Sequence, residues 1–243
     1  MPRRVHFEYW ILPSLVVGLL IAAYFSGVPQ LASIVSPPAN RELGLLENLQ
    51  NVVLIAVMVV ACRGLARAPS TVPKLWFVFI FLVTAFLFLE EINYGQHYWN
   101  ALHGIDQMGL KKALSIHNVG KNSDRFKRAG DAVLVLFFVV LPLAGSKRGP
   151  ATFRYFVPQR AIIMTVVAML VLSQVAHVLN EKAVVKGSLG KSISEFRELF
   201  TYYLGFLYVR EVALRRQWPV AARAVQAPFP GTAGEPSKRQ LMS

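Results

Sequence analysis

Leu75–Leu89 reads LWFVFIFLVTAFLFL, and the only polar residue in it is Thr84 before it closes on Glu90-Glu91. The run has no polar face, so it cannot be the outer helix of a water-soluble domain. Its length and composition predict a helix in the hydrocarbon of a membrane. Two carboxylates at the lip of such a helix are costly to bury, and intramembrane acids mark functional sites by default. The residues that follow, Ile92-Asn93-Tyr94-Gly95-Gln96-His97, add amide, phenol and imidazole groups at the same membrane face.

Working outward, six apolar segments stand out: Tyr9 to Phe25, Leu45 to Leu65, Lys74 to Glu91, Ala132 to Ala144, Ala161 to Leu179 and Ile193 to Val212. The fourth is short and the sixth is less apolar than the others. The first follows a basic start, Pro2-Arg3-Arg4, and is long for the apolar core of a signal peptide. No convincing small-x-small cleavage site follows it, so it reads as a retained anchor. The fold expected is all-α: an integral membrane bundle of about six transmembrane helices over residues 1–217. Residues 92–130 form a long structured third loop, and 218–243, rich in Ala, Pro and Gly, form a disordered cytoplasmic tail.

Composition agrees. The chain of 243 residues is 54% hydrophobic and only 16% charged, whereas a soluble domain carries about a quarter charged residues. The formal net charge of +13 arises from Lys and Arg at the ends of apolar blocks. That placement suits anionic headgroups and the positive-inside bias better than nucleic acid. The single cysteine, Cys62, excludes an intrachain disulfide and a zinc–thiolate cluster.

Basic residues mark one side: Arg3 and Arg4, then Arg63, Arg67 and Lys74, then Lys147, Arg148, Arg154 and Arg160, and finally Arg210, Arg215, Arg216 and Arg223. With six helices these regions share a face, which places both termini in the cytoplasm of a bacterial inner membrane. The third loop runs against the rule with Lys111, Lys112, Lys121, Arg125, Lys127 and Arg128. Its segment Tyr94 to His103 is aromatic and amphipathic, as an interfacial helix would be, and Gly109 to His117 could form another.

This topology gathers acids and histidines on the outer side. Glu42 and Glu47 flank the second segment, and Glu90 and Glu91 close the third. His97, His103, Asp106, His117, Asn118 and Asp124 lie in the loop, and Asp131 opens the fourth segment. His177 and Glu181 end the fifth, and Glu195 and Glu198 open the sixth. Among the acids only Glu8, Glu211 and Glu235 fall on the other side. Glu195 and Glu198 share a helix face with Tyr202 one turn deeper, and His177 and Glu181 share another with Ser173. Carboxylates and imidazoles converging from several helices are how bundles build metal sites. Glu91, His117, Glu195 and Glu198 are the candidate ligands of a divalent metal, with Glu47, His177 and Glu181 in support. Without metal the same groups form a general acid–base set. Bland readings stand beside these. Glu90 and Glu91 would pair with Lys111, Lys112 or Arg125, His177 with Glu181 as an i,i+4 pair, and Glu195 and Glu198 would suit a helix N-terminus. No H-E-x-x-H, G-x-S-x-G or Gly-rich phosphate loop occurs.

Glu90-Glu91-Ile92-Asn93-Tyr94-Gly95-Gln96, with Ile116-His117-Asn118 downstream, resembles a family of uncharacterised bacterial multi-pass membrane proteins. Their motif reads Glu-Glu-Ile-Ser-Trp-Gly-Gln followed by Leu-His-Asn, and the regions of Glu47 and Glu195 resemble that family too. The resemblance spans most of the chain and implies no activity. It implies that Glu90, Glu91, Gln96, His117 and Asn118 belong to one site. Two positions depart from the motif: His97 stands where Arg is usual, and Ala113 stands near the place of an acid. Both departures count against a full metal-ligand set.

The function expected is a membrane enzyme, dependent on a metal or on acid–base catalysis, acting on a lipid or lipid-linked envelope substrate. Glu90, Glu91, Gln96, His117 and Asn118 are its candidate catalytic residues. The alternatives are a non-catalytic subunit or assembly factor that binds a partner membrane protein, and a small transporter. The transporter reading has only a thin polar trail in Thr84, Ser173, Gln174 and Thr201.

Overall fold

The computed structural model describes residues 7–38, 43–68, 70–95, 98–99, 102–103, 132–144, 151–183, 189–190 and 193–215. Every regular element among them is helical. The first helix, α1, opens as a π-turn at Phe7–Ile11 and continues through Leu12–Tyr24. A short α2 spans Pro29–Val35, α3 spans Leu45–Arg67 and α4 spans Thr71–Glu91. Then come α5, Ala132–Ala144, α6, Ala151–Phe156, α7, Ile162–Lys182, and α8, Glu195–Leu214.

Among the described residues, four helices are long and apolar enough to cross a membrane: α1, α3, α4 and α7. The fourth apolar segment of the sequence is α5, whose 13 residues give about 20 Å of helix against a hydrocarbon thickness of about 30 Å. The sixth is α8, which has 20 residues but carries Glu195, Arg197, Glu198, Arg210 and Glu211. Its position explains this composition. It packs on α1, α3 and α7, and it buries Phe196, Leu199, Phe200, Leu204, Leu207, Tyr208, Val209, Glu211 and Val212. A helix walled by protein meets its polar groups with protein partners rather than lipid.

Each outer helix buries one stripe. In α3 the buried positions are Leu46, Glu47, Gln50, Asn51, Leu54, Val57, Ala61 and Gly64, at steps of three and four. In α4 they are only Pro73, Phe77, Thr84 and Glu90, so Thr84, the lone polar residue of the run, faces protein. Leu75, Phe79 and Leu82 of α4 are exposed, as a lipid-facing wall would be. Two short helices in the loops were not foreseen. Pro29 sits at the start of α2, where its missing N–H costs nothing. Tyr155 of α6 donates its hydroxyl to the carbonyls of Val212 (3.1 Å) and Arg215 (3.3 Å), which satisfies the end of α8. Tyr208 of α8 returns a bond to the Phe156 carbonyl (2.8 Å). Trp76, Phe137 and Phe138 pack edge-on to the Tyr208 ring, so one aromatic cluster docks α4 and α5 on α8.

One end of the bundle is basic and is closed by Glu211. This buried carboxylate pairs with Arg215 and accepts the Gln159 N–H at 3.1 Å and the Tyr9 hydroxyl at 3.5 Å. Arg215 also holds the carbonyls of Tyr155 and Val157. Next to it, Arg210 pairs with Glu8 in a more exposed setting. Thus α1, the α6–α7 connection and α8 meet around one charge.

Two outcomes follow for stability in detergent. A Cβ placed on Gly64 would lie 2.3 Å from the buried Phe77 ring. Gly64→Val therefore lowers the unfolding free energy by about 1–3 kcal/mol through overpacking, and Phe77→Leu in the same chain restores part of it. An unchanged midpoint for Gly64→Val would refute the close α3–α4 packing. Glu211→Ala strands the Arg215 guanidinium and costs about 3 kcal/mol, whereas Glu8→Ala, at the partly exposed pair, costs less than about 1 kcal/mol. Equal losses would remove Glu211 from its central place.

Candidate functional site

The other end of the bundle is acidic. Each helix arrives there for a reason visible in its sequence. Glu47, Gln50 and Asn51 stand at steps of three and four in α3, on the face turned to α8. Glu195, Glu198 and Tyr202 stand at similar steps in α8. α4 runs antiparallel to α3 in the hairpin joined at residues 68–70, so its C-terminal Glu90 and Glu91 return to the start of α3.

The adjacent glutamates have different partners. Glu90 is buried and accepts the Tyr94 hydroxyl at 2.6 Å. Glu91 is half-buried and accepts the Tyr202 hydroxyl of α8. The division follows from their hundred-degree separation around the helix. Glu90 takes a phenol from its own turn, and Glu91 reaches across to a second helix. Tyr202 also lies in the field of Glu198 and Glu195. On α3, Gln50 is fully buried and donates to the Glu195 carbonyl at 3.0 Å and to its carboxylate at 3.3 Å. Asn51 donates to the Tyr98 hydroxyl at 3.4 Å, and Tyr98 donates to the Asn48 side-chain oxygen at 3.4 Å.

Two acceptors remain open in this cluster. Gln50 Oε1 and Asn51 Oδ1 are buried without a hydrogen-bond partner among the described residues. Each such orphan costs about 1–3 kcal/mol, and buried groups of this kind call for a specific explanation. Backbone strain accumulates at the same place. Tyr94 has φ 53° and Gly95 φ 85°. The left-handed region costs a non-glycine residue about 1–2 kcal/mol, and it turns the Tyr94 ring back onto Glu90. The hydrogen bond to Glu90 is the main cause that holds the Tyr94 phenol protonated above its usual range.

The sequence-derived candidates divide accordingly. Glu91, Glu195 and Glu198 are brought together around Tyr202, and Glu90 joins them one residue away on α4. Glu47 is buried on the α3 face that carries Gln50 and Asn51. His177 is half-buried and Glu181 exposed at the end of α7. They form no i,i+4 ion pair, and neither bonds to the Glu91 group. His103 stacks on Trp99 at 4.2 Å, with its ring nitrogen on the Trp99 carbonyl, as an interfacial polar tip does. Gln96, His97, His117 and Asn118 lie outside the described residues. Among the described residues no three of His, Cys, Asp and Glu stand at a spacing that could hold a metal ion. Glu91, Glu195 and Glu198 are thus not a metal centre by themselves, and the remaining candidate ligand, His117, falls outside. What the cluster offers chemically is a carboxylate that accepts a phenol hydroxyl, beside two amide acceptors.

Gln50 and Asn51 are not among the site candidates of the sequence, whereas Tyr202 stands there on the face of Glu195 and Glu198. The signal for both amides was present: they stand three and four residues after Glu47, on one face of an otherwise apolar helix. No family model, no curated protein and no solved structure matches the chain.

The cross-helix bond sets a measurable expectation. In a double-mutant cycle on unfolding in detergent, Glu91→Gln and Tyr202→Phe couple by about 1.5–3 kcal/mol, the range for a hydrogen bond to a charged group. Additive effects would mean that the two side chains do not meet.

Proposed function

We propose that this protein is a membrane-embedded acid–base enzyme acting on a lipid or lipid-linked envelope substrate. In this reading α5 and α8 complete a bundle of six membrane helices, both termini lie in the cytoplasm of a bacterial inner membrane, and the acidic end faces outward. The observation that carries it is the Glu91–Tyr202 bond between α4 and α8, set beside the open acceptors of Gln50 and Asn51. Glu91 takes a proton from a water or substrate hydroxyl as that oxygen bonds to the ester carbon or phosphorus, the Tyr202 hydroxyl gives its proton to the leaving oxygen as the old bond breaks, and the proton on Glu91 then passes to the Tyr202 oxygen. Gln50 and Asn51 orient hydroxyl or amine groups of the headgroup by accepting their hydrogen bonds. The family resemblance adds Gln96, His117 and Asn118 as substrate-orienting and proton-carrying groups. A metal-dependent form of this reading requires His117 to join Glu91, Glu195 and Glu198.

The rival reading is a non-catalytic subunit or assembly factor. What favours it is the aromatic shelf next to the site, where Trp99 is 61% and Leu102 82% exposed, a surface suited to a partner membrane protein. The transporter reading ranks last: Thr84 is buried against protein, and Thr201 donates to its own helix at the Arg197 carbonyl.

The test is direct. Wild type, Glu91→Gln and Tyr202→Phe are reconstituted in vesicles of bacterial polar lipid, and the lipids are followed by mass spectrometry. Wild type is expected to convert at least one species, and either variant slows that conversion by about a hundredfold or more while unfolding cooperatively. Lipids left unchanged by wild type, or variants as fast as wild type, would overturn the enzyme reading and bring the partner-binding reading forward.

A further inference from the structure

A second feature lies at the opposite, basic end of the bundle. Between α3 and α8 runs a cleft of about 470 Å³, within the roughly 300–1,000 Å³ of small-molecule sites. Its floor is apolar, with Val59, Val60 and Phe206 among the residues that line it. Its lip carries three guanidiniums: Arg63 and Arg67, one turn apart on α3, and Arg210 of α8. Arg210 is paired with Glu8 and sits over the Phe206 ring at 5.8 Å. Arg63 and Arg67 are exposed and have no acidic partner among the described residues. The lip therefore holds an excess of positive charge beside a hydrocarbon floor.

The dimensions select the ligand. Along α3 the cleft runs from Ala56 to Arg67, about 16 Å at 1.5 Å per residue. That is close to one leaflet, half of the roughly 30 Å hydrocarbon core. The outer wall of α3 beside it, at Ile55, is exposed as lipid-facing surface. A soluble anion would use the arginines and leave the floor bare. A zwitterionic phospholipid would also bring a phosphate, but its ammonium cancels that charge and adds a cation beside the guanidiniums.

We infer that the α3–α8 cleft binds one anionic phospholipid, its acyl chain on the Val60–Phe206 floor and its phosphate on Arg63 and Arg67. Guanidinium forks match a phosphate bidentately. The site is at the end of the bundle opposite to Glu91, and it stands or falls independently of the enzyme reading.

The experiment is native mass spectrometry of the full chain released from bilayers of phosphatidylcholine with phosphatidylglycerol as the minor component. Wild type is expected to retain phosphatidylglycerol in preference to phosphatidylcholine. Arg63→Gln with Arg67→Gln, both at exposed positions, reduces that preference about thirtyfold, from roughly one headgroup contact per arginine. Val60→Trp, which fills the floor and keeps every charge, must reduce phosphatidylglycerol retention too. Excess inorganic phosphate must not displace the lipid. A preference unchanged in the arginine variant would overturn the inference. So would full retention in Val60→Trp, which would mean diffuse surface charge only, or displacement by phosphate, which would mean a soluble-anion site.

Discussion

The structure is organised by the charge on α8. Glu195 and Glu198 stand at its start and Arg210 and Glu211 near its end, with twenty residues in all. Such a helix cannot lie against hydrocarbon along its length without stranding ionised groups. It is stable when other helices wall it in and supply partners at both ends. α3 supplies Gln50 at the acidic end, α4 supplies Glu91 to Tyr202, and α1 and the α6–α7 connection supply Tyr9 and Gln159 to Glu211. The apolar helices then turn their uniform outer faces away from α8.

The two ends solve the burial of charge differently. At the basic end Glu211 meets a guanidinium, a backbone N–H and a phenol, and its lone pairs are filled. At the acidic end Glu91 and Glu90 each take a phenol, and Gln50 and Asn51 keep open acceptors among the described residues. Filled networks hold structure. Unfilled acceptors beside a strained turn at Tyr94 are energetic costs that persist where they serve a ligand or a reaction. This contrast supports placing the chemistry at the acidic end and a structural role at Glu211.

Along the helices the apolar runs made the helical class legible, because a run without a polar face has few other uses. The gathering of Glu90, Glu91, Glu195 and Glu198 at one end was legible too, since antiparallel helices fix which ends meet. The stripe of Glu47, Gln50 and Asn51 was readable in principle from its spacing but was masked by the apolar residues around it. The short α2 and α6 were not readable: both are under eight residues and take their stability from tertiary bonds such as Tyr155 to the end of α8. The i,i+4 spacing of His177 and Glu181 allowed a pair that the side chains do not make.

The sequence by itself determined which segments are apolar enough to cross a membrane. Its hydropathy and the spacing of its charges set which segments are apolar on all sides and which end of each carries acid or base, because burial of charge in hydrocarbon is prohibitive. Only the tertiary structure decided partners. It placed the least apolar helix at the centre, gave Glu90 to its own turn and Glu91 to Tyr202, and left Arg63 and Arg67 at the lip of an apolar cleft. These outcomes depend on rotations of whole helices about their axes, set by contacts such as Gly64 against Phe77, and residue spacing along one chain does not contain them.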